Sequence, residues 1–500
     1  MGAKENQTMR TTFYLRAILV VAVAVVAVPA AHGGWSDDPS LNLVIADRPG
    51  DQVQPKIVAT ADGGCYVSWF DNATGGYDVY LQRLDAAGNE QWAHNGVLIA
   101  DRGFSWTQDY GLSIDAAGAA LLAFRDDRSG GEEITAARVT PDGTLSWGAA
   151  GIQVSTAAGA FVASPKIAGT SEGHVVVAWS EDGAIRARKL DPTGAPLWGA
   201  GITFTPASGS YFLADLHAAD AGAAIVSWVP QNGGISHLWA QKLAAADGAS
   251  LWGSGHVQVF DDPSGGLGYG NFPPFVPDGA GGALFAWSGS FGMSTIFTRV
   301  QRILADGSEA FVHNGIETST DTSLHRLYGT AILDPASGDV YAFWTSADAS
   351  QSQFGISGQR IAADGSRMWT DAGRVYVPLG SSQTDGTRLV LLSGEPIAAW
   401  VDGIAFGNEP IRAMRADAAG DPVWTPDIVD LCTSATDSYR LGVVASTAGF
   451  AIYAWQDGSI GDTEIRVQNL SPDGVLGETG GIFADGFESG DTTAWSDWVP

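Results

Sequence analysis

The chain reads as all-β, an eight-bladed β-propeller of four-stranded antiparallel blades whose ring is closed by an N-terminal outer strand. Three observations predict it. A turn motif recurs eight times, a strand aromatic recurs eight times at a near-constant interval, and an outer-strand sequence without its companion strands stands near the N-terminus.

The turn appears as LDAAGNEQW (84–92), TPDGTLSW (140–147), LDPTGAPLW (190–198), AAADGASLW (244–252), LADGSEAF (304–311), AADGSRMW (362–369), ADAAGDPVW (416–424) and SPDGVLGE (471–478). Each copy has a glycine and, four residues later, an aromatic; only the last copy replaces it, with Glu478. An Asp that bonds nearby amides and a Gly that accepts positive φ, set between two apolar runs, make a β-hairpin. The strand aromatics are Trp69, Phe124, Trp179, Trp228, Trp287, Trp344, Trp400 and Trp455, with spacings of 55, 55, 49, 59, 57, 56 and 55 residues. A fixed period of that size marks a repeat architecture. Two markers that together use thirteen of the eighteen tryptophans are core-building in character.

Each repeat resolves into four short apolar runs, in the first case 55–60, 65–70, 79–85 and 96–101. Their lengths, the turn clusters between them and the lack of helical periodicity predict antiparallel strands. The second run is apolar on both faces in several copies, as in VVVAW (175–179), so each sheet is expected to be covered on both sides. Radial repetition of such sheets gives a propeller. LNLVIADR (41–48) nearly repeats GVLIADR (96–102) and is expected to be the outer strand of the eighth blade, with GGIFAD (480–485) as the rival for that position.

Residues 1–33 have the form of a secretory signal: Lys4, Arg10 and Arg16, an apolar run from Ala17 to Val28, then a small-x-small site at Ala31-His32-Gly33. The apolar run is short of the roughly 20 residues a bilayer requires. The domains expected are therefore a signal peptide (1–33), the propeller (34–482) and an acidic tail (483–500). Loss of 1–33 takes three bases and one acid from the formal charge of −29, leaving 23 bases against 54 acids. Such a surface repels nucleic acid and anionic lipid, and no segment is expected to span a membrane. Cys65 and Cys432 fall in non-adjacent repeats and are expected to be buried, unpaired thiols. A monomer is expected.

The turn motif resembles the tryptophan-docking repeats of quinoprotein-type eight-bladed propellers, with LDPTGAPLW (190–198) the nearest copy. The layout RLDxxGxxxWxxNGVxI over residues 41–482 resembles the delta-type repeats of large secreted bacterial proteins. The tail segment from Asp485 to Asp491, followed by Ala494, Trp495 and Ser496, resembles a DGFESGDxxAWS signature found at the ends of secreted proteins of Gram-negative bacteria, which implies a portable sorting signal. Quinoprotein chemistry needs adjacent cysteines, which this chain lacks. The Asp-box of six-bladed sialidases places its aromatic three residues after Gly, not four.

Four groups of side chains are candidates for function. Asp71, Asp126, Asp402 and Asp457, with Glu181, follow a strand aromatic by two; they read as hairpin caps or, alternatively, as a ring of carboxylates for calcium. Arg326, Arg388 and Arg440 stand at the start of three successive innermost strands and, converging on the axis, would clamp a carboxylate. The variable loops carry Trp106, Tyr110, Tyr211, Phe212, Tyr269 and Phe272, expected as an aromatic rim suited to a carbohydrate or protein ligand. The eight histidines have no metal spacing, and a P-loop and a nucleophile elbow are lacking. The function expected is a secreted or cell-surface, non-enzymatic binding module acting through the loop-rich face. The alternatives are a hydrolase or lyase of an anionic polysaccharide and a purely structural envelope protein.

Overall fold

The computed structural model describes residues 34–478, except 156–158, 233, 269, 293–294, 404–408 and 435. The signal-like segment and the acidic tail lie outside the described residues. Eight antiparallel sheets are arranged in a ring, and the one helical element among the described residues is a short 3-10 turn at Asp220–Gly222. No helix among them is long and apolar enough to cross a membrane.

The first blade shows the plan. Its strands are Gln52–Ala59, Cys65–Asp71, Asp78–Leu84 and Val97–Ala100, paired in chain order from the innermost outward. In the eighth blade the innermost three strands are Ser438–Ala445, Ala451–Ser459 and Asp462–Leu470, and the fourth is Leu43–Ala46. The N-terminal segment therefore closes the ring, as its sequence predicted; 480–485 lies outside the described residues.

Why each blade needs its neighbours is visible in the second strand. In the first three blades it is buried at every position, so a lone sheet would leave both of its faces in water. The core is accordingly eight wedges, each shared by two adjacent blades. The wedge between blades 3 and 4, for example, joins Val176 and Trp198 to Val226 and Trp228. In the wedge between blades 5 and 6 the turn aromatic is Phe311, and the buried strand aromatic Trp344 stands on the same strand face as Val340 and Ala342.

The turn motif builds these wedges across blades. Its Asp takes the amides that follow it, as Asp85 Oδ1 does from Ala87 and Asn89, both at 2.9 Å. Its glycine has positive φ and also leaves room for the aromatic of the preceding repeat: a Cβ on Gly420 (φ +87°) would lie 2.8 Å from Trp369. The indole then donates into the same turn, Trp369 Nε1 to Ala418 O at 3.2 Å and Trp424 Nε1 to Pro472 O at 2.8 Å. The eighth copy lost its aromatic at Glu478, and Trp35 supplies it. A Cβ on Gly88 would lie 2.8 Å from the Trp35 ring, and Trp35 Nε1 donates to Ala86 O at 2.9 Å. Both thiols are buried and unpaired, and burial pushes each of them up from the ordinary cysteine range.

Candidate functional site

Antiparallel connectivity puts the turn motifs and the first hairpin of every blade on one face. The loops after the second strands and the entries to the innermost strands lie on the other, and the candidate residues gather there.

The carboxylates that follow the strand aromatics are each engaged within their own surroundings. Asp71 accepts the Ala73 amide at 2.9 Å, and burial raises its carboxyl above the usual range. Asp126 takes Arg128 Nε at 2.9 Å. Glu181 takes Trp179 Nε1 at 2.9 Å and forms an ion pair with Arg186, whose Nε is 3.0 Å away. Asp402 is raised by burial against the opposing pull of Arg412, which bonds it. Asp457 accepts from Ser434, Thr436 and Ser438, with Arg466 Nε 3.0 Å away. They are spread one per blade, and among the described residues no three His, Cys, Asp or Glu side chains gather where they could hold a metal.

The three arginines do not share a position. Arg326 is buried at 3% exposure and turns to Glu317, 3.3 Å away on the outer strand of blade 5. Arg388 bonds Leu441 O at 2.9 Å in blade 8, and Arg440 is exposed with φ of 56°. The cause is a bulge. The register of the innermost strand shifts between Val53 and Lys56, and likewise in blades 3, 6, 7 and 8. Arg326 precedes its bulge, Arg440 sits within it and Arg388 follows it, so successive arginines point differently. Gln54, Ser164, Tyr328 and Arg440 occupy this bulge with positive φ, which makes the strained backbone an architectural feature of the ring.

The aromatic rim is likewise uneven. Trp106, 45% exposed, lies beside the buried Arg125, whose guanidinium is 4.8 Å from its ring. Tyr110 was expected at the surface and is instead fully buried, its hydroxyl bonded to Ser68 and to Gln54 O at 3.0 Å. It lies immediately before the innermost strand of blade 2, Gly111–Ile114, and packs in the wedge between blades 1 and 2. Tyr211 packs on Trp228 and Trp239, and Phe212 meets Phe272 at 5.8 Å. Tyr269 lies outside the described residues.

In seven of the eight blades one residue of the innermost strand pairs opposite the residue before the strand aromatic: Lys56, Gly111, Lys166, Asp215, Thr330, Arg388 and Gly442. They share one height around the axis. Asp109 bridges two of them, 2.6 Å from Lys56 Nζ and 2.5 Å from Lys166 Nζ. Burial opposes ionisation of Asp109, but the two ammonium groups override it and hold the carboxyl well below the usual range. Asp215, next around, bonds His217 at 3.0 Å and accepts the Phe275 amide at 3.2 Å. This charged half-ring was missed by sequence reasoning, apart from Arg388. A signal did exist, because Lys56, Lys166 and Asp215 each stand thirteen residues before their strand aromatic.

The ring is broken in blade 5. Its innermost strand consists of two short pieces, Gly266–Leu267 and Phe275–Pro277, separated by an insertion. Between blades 5 and 6 lies a cleft of about 770 Å³. Its walls include Pro273, Pro274, Leu284, Ile296 and Leu327; Asn271, Ser288, Gln351, Tyr328 and Arg388 supply polar groups. That volume falls in the range of small-ligand sites, roughly 300–1,000 Å³, and its mixture of apolar wall and few polar groups is theirs as well. Tyr328 is 57% exposed, and Gly386 of blade 7 makes room for it, since a Cβ there would lie 2.8 Å from the Tyr328 Cβ. The Arg388 guanidinium is planted by Leu441 O and by Gly386 O at 3.2 Å.

By sequence the chain matches no protein family and no curated protein. Among solved structures it is similar to the Dos1 propeller, with a TM-score of 0.46 and 10% identity over 86% of this chain and 95% of that one. It is also similar to prolyl oligopeptidase B from Galerina marginata, at 0.45 and 9% over 82% of this chain and 56% of that one. A third is the endo-arabinase of Bacteroides thetaiotaomicron, at 0.32 and 13% over 51% and 92%. At these identities the likeness is one of fold, that of the β-propeller.

Proposed function

We propose that this chain is an exported binding module that holds its ligand on the loop-rich face, in the cleft between blades 5 and 6. One observation carries the reading: the cleft opens where the innermost strand of blade 5 is interrupted, and it is walled by apolar side chains with Arg388 and Tyr328 at its edge. An apolar wall supplies affinity, and a fixed guanidinium supplies orientation. Its lining residues include no carboxylate or histidine, whereas glycoside hydrolysis ordinarily requires a pair of carboxylates at the bond cleaved. Export rests on residues 1–33 and is checked by N-terminal sequencing of the protein recovered outside the cell. The binding reading is tested on glycan and peptide arrays with the wild type, Tyr328→Ala and Arg388→Gln. Ligands retained by the wild type should weaken tenfold or more in a variant; substrate turnover with no retained ligand would refute it.

A second reading, a hydrolase or lyase of an anionic polysaccharide, is favoured by the channel half-ring, where Asp109 and Asp215 stand among Lys56, Lys166 and His217. Asp109→Asn and Asp215→Asn should then abolish turnover of polyuronates, and equal rates in wild type and variants would exclude it.

A further inference from the structure

The cleft also has an unfilled strand position. In blade 5 the pairing of the innermost strand with Ala283–Ser290 runs from Pro277 opposite Ala283 to Phe275 opposite Phe285, and resumes only with Leu267 opposite Gly289. Ala286, Trp287 and Ser288 thus have no strand partner on their inner side. In blades 1, 3, 6 and 8 the bulge leaves a gap of a single residue, the strand aromatic.

The direction of the backbone groups is fixed by two bonds. Asp278 N donates to Gly282 O at 3.1 Å, and Asn271 Nδ2 donates to Ser288 O at 3.2 Å, so the carbonyls of Gly282 and Ser288 both face the inner side. Alternation along a strand then directs the N–H and C=O of Ala286 and Ser288 inward, and those of Trp287 toward the third strand. Asn271 answers one of these groups with a side-chain amide where another blade has backbone. The cleft residues include Ala286, Trp287 and Ser288 on one side of the gap, and Leu327 to Ala331 of blade 6 on the other. Gly329 N–H donates to Ser288 Oγ at 3.1 Å and ties the blade 6 wall to the gap.

We propose that the gap receives an extended peptide as an added stretch of innermost strand, with a carboxylate of that peptide taken by Arg388. The inference rests on the binding reading above and narrows its ligand to a peptide. Main-chain bonds to an exposed strand edge are a general mode of peptide capture, with side-chain pockets setting the sequence. Pro273, Pro274 and Leu327 offer apolar contacts beside the gap, and Arg388 lines the same cavity. A guanidinium gives a carboxylate a charge-assisted hydrogen bond.

The test uses fluorescein-labelled hexapeptides of alternating valine and threonine, with either a free C-terminal carboxylate or a C-terminal amide, and acidic oligosaccharides as a parallel probe. Fluorescence anisotropy with the full-length mature protein is expected to show the acid form binding at least tenfold more tightly than the amide. Arg388→Gln should remove that difference. N-methylation of alternate peptide amides should abolish binding in one register and spare it in the other, a result that does not depend on the folding of any variant. Equal binding of both N-methylated registers, or of acid and amide, overturns the inference. Oligosaccharide binding that is lost in Tyr328→Ala, with no peptide bound, overturns the peptide inference and leaves the cleft as the site. Absence of binding by either probe counts against both.

Discussion

Trp35→Ala should open the ring at the N-terminal strand. Trp35 is 8% exposed, fills the slot left by Glu478, packs edge-on to Phe450 at 6.4 Å between centroids, and donates its indole N–H to Ala86 O at 2.9 Å. Truncation of a buried tryptophan to alanine costs about 3–5 kcal/mol, and the lost hydrogen bond accounts for about 1 kcal/mol of that. The distinctive consequence is where the cost falls. Trp35 and Leu43–Ala46 lie on one short segment, whose further ties include Gln468 Nε2 to Ser36 O at 2.6 Å, Asn42 Nδ2 to Leu431 O at 2.8 Å and Thr433 N to Pro39 O at 3.0 Å. Releasing Trp35 should therefore free the strand pairing of Leu43–Ala46 with the third strand of blade 8. Trp198→Ala, at 7% exposure in an interior wedge, should cost a similar amount without that local release. Guanidinium unfolding gives the stability change, and amide exchange of residues 43–46 and 462–470 gives its location. A Trp35→Ala protein that loses less than about 1 kcal/mol and exchanges these amides no faster than the wild type would refute the account of closure.

Three further outcomes follow from the same geometry. Asp109→Asn leaves Lys56 and Lys166 facing each other and should destabilise by about 1–3 kcal/mol, toward the lower value because the Asp109 side chain is 43% exposed. The folded carboxyl is held below its unfolded value of about 3.9, so its stabilisation is present above about pH 4 and lost as the pH falls further; the gap between wild type and variant in urea melts should close in acid. Gly420→Ala places a Cβ 2.8 Å from Trp369 at a φ of +87° and should lower the thermal midpoint, whereas the exposed neighbour Met368→Ala should not. Neither Cys65 nor Cys432 should react with a thiol reagent in the native protein at pH 8, and both should react in denaturant, because burial raises both thiols.

The architecture was legible because it is written eight times: Asp85, Gly88 and Trp92 would mean little alone, and their recurrence identifies a turn and a docking aromatic. The closing strand was legible for the same reason, through the likeness of 41–48 to 96–102. Trp35 was not recognised as the eighth docking aromatic, although the missing aromatic at 478 and a tryptophan upstream of the outer strand were both in plain view. The site was less legible because the innermost strand carries a bulge. The bulge shifts side chains by an amount that a period-two reading cannot follow, so Arg326, Arg388 and Arg440 seemed equivalent and are not. It also hid Lys56, Lys166 and Asp215, which share a height in the ring but no local motif. The cleft depends on an interruption of one strand and on a wedge built with Phe311, features whose meaning appears only once the neighbouring blade is in place.

The central claim is that the cleft between blades 5 and 6 holds the ligand. Its most direct test is array binding compared across the wild type, Arg388→Gln and the opposite-face control Met368→Ala. The account predicts that ligands retained by the wild type and the control fall at least tenfold in affinity with Arg388→Gln. Retained ligands that bind Arg388→Gln as well as they bind the wild type would contradict it.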